Sequence, residues 1–492
     1  MILILLAAIC LGASEAFVVG SPGFDLKLFR ANALKEELVK AASDAGRLSV
    51  SELFETFASS AEFKTALWQK RPFLLTESLG NIKGAYTMAE VQMAVDNDFI
   101  EAGRGTPIPG GGWNMATVSE PRGSSFQDAK LRFQDVEMAM KQTSGTVVFN
   151  SAGGFIPPLA GVCLQTIEAF DLPSALNMYL TNPGQKVSAP PHTDRQDVFV
   201  LQTQGQKRWR VFQPPPPSAR ALADPFARGK GKDELAEAEL TMPPLIDTVL
   251  SPGHVLYVPA GYPHTTDTIH GIEDTSAPSV HLTVGLDTHV WGLSFAGLRS
   301  YALRRKGKAH QLNVAKVDSA SYWQLQQSLP LGFLASDSGS GSDSDSDSDS
   351  GKEETAKLLV AALIPRMRAA EPLRWADQPD DAALALALGA HETALRMLDH
   401  HRTVTDLLGR MYADVALKLT PAKFDLSFFR SQPYFQQLEA TMTQLESWAD
   451  GSPSGDGGTG GFGKQKTVAP NLNKTKSKAS DGAAKSAKRG FG

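Results

Sequence analysis

Between about residues 145 and 287 the chain alternates apolar and polar positions in short runs: GTVVFN, SALNMYLT, DVFVLQT, KRWRVFQ, DTVLS, HVLYVP and SVHLTVGL. Each run is closed by Gly, Pro or Asn. Period-two alternation with that punctuation predicts strands, and their close succession predicts an antiparallel barrel or a double-sheet sandwich. Upstream the period changes. Leu34, Leu38 and Val39, then Leu53, Phe54, Phe57, Phe63 and Leu67, recur at helical spacing, so residues 31–71 should be helical up to Lys70-Arg71-Pro72. Phe73-Leu74-Leu75 predicts an entering strand, 102–126 a Gly- and Pro-rich loop, and Phe126 to Gln142 a helix. Helical periodicity returns over 291–330 and over 352–449, as in TAKLLVAALIPRMRAA and HETALRMLDHHRTVTDLLGRMYADVALKL.

Three stretches carry no periodicity. Residues 214–243 open with four prolines and continue with GKGKDELAEAEL, which predicts a surface excursion between two barrel strands. Ser336 to Ser350 alternates Ser and Asp, a composition that cannot bury a core. The end of the chain is Gly, Ser, Lys and Asn. The expected organisation is a leader over 1–16, a helical and loop-rich part over 17–144 and a barrel core over 145–290. A helical segment over 291–334, a disordered linker over 335–351, a helical domain over 352–449 and a disordered basic tail over 450–492 follow. The fold class is α+β.

Hydrophobic content of 42% and charged content of 21% are those of a globular protein, and the net charge of −5 gives no general nucleic-acid signature. The charge is uneven. Lys464, Lys466, Lys474, Lys476, Lys478, Lys485, Lys488 and Arg489 make a basic tail that either contacts rRNA or another polyanion, or only solubilises. The two cysteines, Cys10 and Cys163, allow neither a disulfide framework nor a Cys-based zinc site. A metal site must therefore use His and carboxylates. Met1 to Gly12 is apolar and too short to span a bilayer. With Ser14 and Ala16 before Phe17 it reads as a secretory signal or as the junction of a bipartite plastid leader, although its start lacks Lys or Arg. No other segment reads as transmembrane.

The candidate chemistry lies in PPHTDRQDVFVLQTQGQKRW and GHVLYVPAGYPH. Residues i and i+2 of a strand share a face, so His192 and Asp194 can both reach into a barrel while Thr193 points away. A third donor from a distant strand would complete a set of two imidazoles and one carboxylate with open positions, the donor set of non-haem Fe(II) oxygenases. His264 is the leading third donor, with His254, His270 and His281 as competitors. A neutral His192 requires a partner for its other ring nitrogen. Alternation places Lys207, Trp209 and Val211 on one inward face, so Lys207 is expected to be a buried ammonium that a carboxylate ligand would compensate. The alternative is a lysine that snorkels to solvent. His391, His400 and His401, on predicted helices, read as surface or structural residues.

The segments NMYLTNPGQKVSAPPHTDRQDVFVLQTQGQKRWRVF and TVLSPGHVLYVPAGYPHTTD resemble JmjC-type 2-oxoglutarate oxygenases of the ribosomal oxygenase branch. The resemblance covers roughly 50–300. It implies a double-stranded β-helix (cupin-like) barrel, Fe(II) held by His192, Asp194 and His264, and 2-oxoglutarate and O2 as co-substrates. Lys207 falls on the lysine that binds the distal carboxylate of 2-oxoglutarate. Asn177 and Tyr179 match positions lining the co-substrate and peptide pocket, as does Thr283. Gly285 departs from the pattern by standing where a hydroxyl residue is expected.

The activity implied is hydroxylation of a His or Arg in a ribosomal protein. The alternatives are lysine demethylation of a histone tail on the same iron site, a non-oxygenase metal-binding cupin, and an adaptor. The family's C-terminal half carries a helical dimerisation region, which implies a homodimer for chains that share it. The resemblance points to nucleus or nucleolus, whereas the leader points to the secretory route or a plastid.

Overall fold

The computed structural model describes residues 32–44, 49–77, 82–96, 112–116, 132–142, 146–217, 224–230, 233–333, 347–378, 380–417 and 433–451. The leader and nearly all of the basic tail lie outside them. So do most of the Ser-Asp stretch and the first part of the helix expected from Phe126.

The N-terminal helices are α1 (Asn32–Asp44) and α2 (Val50–Ser59), followed by a π turn (Phe63–Leu67). A capping box starts α2: Ser49 Oγ accepts from the Glu52 amide at 3.1 Å, and the Ser49 amide donates to the Glu52 carboxylate at 2.7 Å. Next come β1 (Phe73–Leu75), α3 (Met88–Asp96), β2 (Gly112–Ala116), α4 (Phe133–Gln142), β3 (Thr146–Asn150) and α5 (Pro157–Phe170). The strands then crowd together as β4 (Ser174–Thr181), β5 (Ala189–His192), β6 (Asp197–Gln204), β7 (Lys207–Val211), β8 (Ile246–Leu250), β9 (Val255–Val258), β10 (His264–Asp267) and β11 (Ser279–Leu286). Helices α6 (Phe295–Arg305), α7 (Ser319–Gln326), α8 (Asp347–Ala370), α9 (Asp381–Leu388), α10 (Ala390–Ala416) and α11 (Pro433–Ala449) close the described chain.

The strands form two antiparallel sheets, seven-stranded β1-β9-β6-β11-β4-β3-β2 and four-stranded β5-β10-β7-β8. Every strand pairing is antiparallel, with helices packed beside the sheets, which is an α+β arrangement rather than a parallel α/β one. Alternation decides which side chain goes where. On β6, Val198 and Val200 join Leu256 and Val258 of β9 in a cluster with Trp209, Val211 and Leu250 of the smaller sheet. Phe199, between the two valines, faces the helices. It packs against Phe54, Phe57, Phe63, Phe170 and Tyr257 with ring centroids 4.9–5.9 Å apart. Such tilted and edge-on contacts suit the aromatic quadrupole and make a rigid back wall.

The same parity sorts β4 and β11. Leu176, Met178 and Leu180, with Val280, Leu282 and Val284, belong to the large apolar core. Their neighbours Asn177, Tyr179, Thr181, His281 and Thr283 therefore turn to the other face, toward the smaller sheet. A polar stripe on the inner face of two fully paired strands marks a place built for something other than core packing.

Helix α10 packs on α5, and Tyr412 donates to the Ser174 carbonyl at 2.7 Å, so the C-terminal helices share the core that backs β4 and β11. Two local expectations change. Within the loop expected over 102–126, residues 112–116 form β2 and pair with β3 along its whole length; glycine-rich sequence hides an edge strand whose partner is decided by register. At the other end, residues 347–350 of the Ser-Asp stretch already belong to α8.

Phe199→Ala should remove the centre of the aromatic wall. Equilibrium denaturation is expected to show a loss of about 3–5 kcal/mol, the range for deleting a fully buried phenylalanine.

Candidate metal centre

The three donors converge through strand pairing. His192 ends β5, His264 begins β10, and the two are direct antiparallel partners. Their ring centroids are 4.2 Å apart. Asp194, two residues beyond His192, places Oδ2 at 3.3 Å from His264 Nε2 and 4.0 Å from His192 Nε2. One ligand atom from each residue lies within 4.8 Å of the others, and no second group of this kind occurs among the described residues. His264 is 3% exposed at the base of the site. The side chains of His192 and Asp194 are each 20% exposed at its mouth.

Both imidazoles are oriented from behind. His192 Nδ1 lies 2.8 Å from the Pro190 carbonyl, and His264 Nδ1 lies 3.0 Å from the Tyr262 carbonyl. A carbonyl can only accept, so each Nδ1 carries the proton and each Nε2 keeps its lone pair for an ion. Burial, reinforced by the neighbouring His264, drives the pKa of His192 down to about 3 and keeps the ring neutral. Burial alone would favour the neutral Asp194 carboxyl. The Lys230 ammonium outweighs it and holds Asp194 well below the usual carboxylate range.

Lys207 is 1% exposed. Its Nζ donates to Thr181 Oγ1 at 2.9 Å, and no carboxylate comes within ion-pair distance of it among the described residues. Burial pulls its pKa down to about 7, which distant Asp267 offsets only in part. The expectation of an inward ammonium on the Trp209 face holds, since β7 alternates buried and half-buried residues from Lys207 to Val211. Trp209 spans the two ends of the site: its ring stacks on His264 at 5.7 Å and meets His281 edge-on at 5.4 Å. Trp209 Nε1 and His281 Nδ1 are buried without a hydrogen-bond partner in the protein. A buried cation beside two unsatisfied nitrogens is costly unless a ligand completes the set.

The remaining candidates line the same face. Thr283 stands opposite Asn177, and His281 opposite Tyr179, across the β11–β4 ladder. Tyr179 and His281 stack at 4.8 Å with a 3° interplanar angle. Burial raises the phenol pKa of Tyr179, with a further contribution from Asp194, which places the ring beside the triad. Asn177 Oδ1 accepts from the Ser151 amide at 2.8 Å, so part of its capacity supports the wall.

The competing histidines separate from the triad. His254 caps a turn through the Ser251 amide, His270 sits at the surface beside Asp267, and His281 belongs to the Lys207 end. His400 and His401 are buried within α10 rather than exposed. Gly285 also has a local reason: a Cβ there would lie 2.6 Å from Gln196 Nε2, which reaches past it to Asp287.

Thr181, Lys230 and the placement of Trp209 and His281 go beyond what the sequence singled out. Alternation along β4 could have found Thr181. Lys230 had no local signal, because it comes from the 214–243 excursion. That segment is not merely on the surface: it folds back onto β5, and Arg228 is buried with Asp233 and Glu239 at 2.6 and 2.8 Å.

Lys207→Met should stabilise the ligand-free protein. A folded-state value near 7, against 10.5 for a free lysine, means that the charged side chain destabilises the fold fully below pH 7 and progressively less up to the free value. Thermal unfolding at pH 6, 7 and 9 is therefore expected to show the largest gain in midpoint at pH 6 and less than half of that gain at pH 9.

Residues 162–292 match the model of the JmjC domain. Ribosomal oxygenase 2 of Rattus norvegicus is 25% identical over 267 residues, 53% of this chain and 52% of that protein. The bifunctional lysine-specific demethylase and histidyl-hydroxylase NO66 of Drosophila willistoni is 36% identical over 132 residues, 27% of this chain and 16% of that protein. The crystal structure of Escherichia coli ribosomal oxygenase YcfD aligns at 20% identity and a TM-score of 0.30 over 50% of this chain and 56% of that one. The chain spans about half, or less, of the length of these curated relatives. Residues 162–292 thus match a JmjC domain, and over that stretch the chain is similar to the ribosomal oxygenases.

Proposed function

We propose that this chain is an Fe(II)- and 2-oxoglutarate-dependent protein hydroxylase acting on a histidine or arginine of a ribosomal protein. The two sheets are then the halves of a double-stranded β-helix. One observation carries the reading: a two-imidazole, one-carboxylate cluster adjoins the strand of a buried lysine that has no carboxylate within ion-pair distance among the described residues.

The residues fit both groups. His192 and His264 offer Nε2, and Asp194 offers a carboxylate oxygen that offsets part of a dication's charge. Lys207 would bind the distal carboxylate of 2-oxoglutarate. The unpartnered Trp209 Nε1 and His281 Nδ1 supply further polar contacts. Iron held there, with 2-oxoglutarate and O2, supplies the oxidising power to hydroxylate a C–H bond. The protein's own part is orientation and exclusion of water. The carbonyls of Pro190 and Tyr262 hold both imidazoles in the ligating tautomer, while Asn177, Tyr179 and Thr283 line the wall. The exposed edges of His192 and Asp194 face the side from which a peptide must come.

Demethylation of a histone lysine is the second reading, favoured by the double activity in the name of the NO66 relative. A ribosomal target is compatible with the nucleolus and, through the leader, with a plastid. The basic tail, outside the described residues, would contact rRNA, and a homodimer is the proposed assembly. None of the described helices is long and apolar enough to cross a membrane.

Incubation of the full chain with Fe(II), 2-oxoglutarate and ribosomal-protein peptides tests the reading. Succinate should form together with a peptide heavier by one oxygen, and His192→Ala or Lys207→Met should lower turnover by at least about 100-fold. Formaldehyde and a lighter methyl-lysine peptide would favour the demethylase. Absence of iron-dependent succinate formation with every peptide would remove the oxygenase reading.

A further inference from the structure

Residues 224–230 of the 214–243 excursion meet the His192–Asp194 segment residue by residue. Gly229 adopts φ +72°, and a Cβ built on it would stand 2.2 Å from the Pro191 carbonyl oxygen and 2.9 Å from His192 Cα. Only glycine permits that approach. Thr193, between the two candidate ligands, is fully buried under the excursion. Its amide donates to the Arg228 carbonyl at 3.0 Å. Its Oγ1 accepts from the Arg228 amide and donates to the Pro225 carbonyl, both at 2.9 Å. Arg195 Nε reaches Asp224 at 2.9 Å. The buried Arg228 guanidinium, paired with Asp233 and Glu239, locks the excursion to itself.

Lys230 is the next residue after this clamp, and its Nζ pairs with Asp194 Oδ1. The other carboxylate oxygen, Oδ2, is the one turned to the two histidines. We propose that Lys230 is a positioning residue that divides the Asp194 carboxylate, keeping Oδ1 for itself and leaving a single oxygen for the metal ion. This rests on the metal-site reading of the triad and deepens it. A carboxylate free to rotate could offer both oxygens to the ion and occupy a position that a chelating co-substrate needs. An ammonium fixed on one oxygen prevents that. It also repels a dication, so it is not there to tighten the metal.

The two effects have opposite signs, which separates positioning from mere support. Cobalt(II) serves as the probe, with the full-length protein titrated by calorimetry and visible absorption, first with cobalt alone and then with 2-oxoglutarate on the cobalt-loaded protein. For Lys230→Met, cobalt should bind as tightly as in the wild type or more tightly, while 2-oxoglutarate binds about tenfold more weakly. Lys230→Arg should restore most of the co-substrate affinity. The Lys230 side chain is 44% exposed, so neither change should disturb folding. If Lys230→Met weakens cobalt and 2-oxoglutarate together, the residue only supports the fold and the proposal fails. It fails equally if 2-oxoglutarate affinity is unchanged. If the wild type itself binds no cobalt, the metal-site reading falls, and this proposal with it.

Discussion

Antiparallel pairing of β10 with β5 on one side and β7 on the other is the constraint from which the site follows. It sets His264 opposite His192 and, across the other ladder, beside Val211, with Thr266 opposite Trp209. One register thus brings the imidazoles together and stations the Lys207–Trp209 face next to them. A slip by one residue would turn His264 out of the cluster and present Thr265 in its place. β7 is in turn paired along its whole length with β8, and the valines of β6 pack against it, so the register is held by core burial rather than by the polar groups themselves.

That division of labour explains how the molecule carries so unfavourable a cavity. An ammonium with one hydroxyl partner, a neutral His192 ring and two unsatisfied nitrogens weaken the fold where they stand. Behind them, the aromatic cluster around Phe199 and the shared core of α5 and α10 supply compensating burial. The polar stripe of β4 and β11 is backed by leucines, methionine and valines on the reverse of the same strands, so donors and acceptors are fixed by packing that never enters the cavity. Concentrating the destabilisation at one place, over a rigid support, is how a binding site differs from a defect.

Much of this arrangement was legible before any coordinates. Period-two runs delimited most strands from β3 to β11, and alternation turned Lys207 inward with Trp209. The spacing of His192 and Asp194 is local, and His264 follows a strong strand and a Pro-Gly turn. What stayed hidden depends on pairing between distant segments. His281 competes for the metal on sequence alone; only its place opposite Tyr179 assigns it to the Lys207 end. β2 lacks the apolar alternation of a core strand. The excursion's charges suggested solvent, yet Arg228, Asp233 and Glu239 satisfy one another and allow the segment to lie against β5. Lys230 reaches Asp194 only as a consequence of that folding.

The most direct test of the central claim, that these strands assemble one site for a metal and a keto diacid, is an anaerobic titration of the full chain. Fe(II) would be added first and 2-oxoglutarate second, with the visible charge-transfer absorption of the ternary complex followed throughout. The expected result is a band that saturates at one equivalent of iron, requires 2-oxoglutarate, and is lost in His192→Ala, Asp194→Ala and His264→Ala. A wild-type chain with no such band, or a band that survives replacement of His264, would contradict the account.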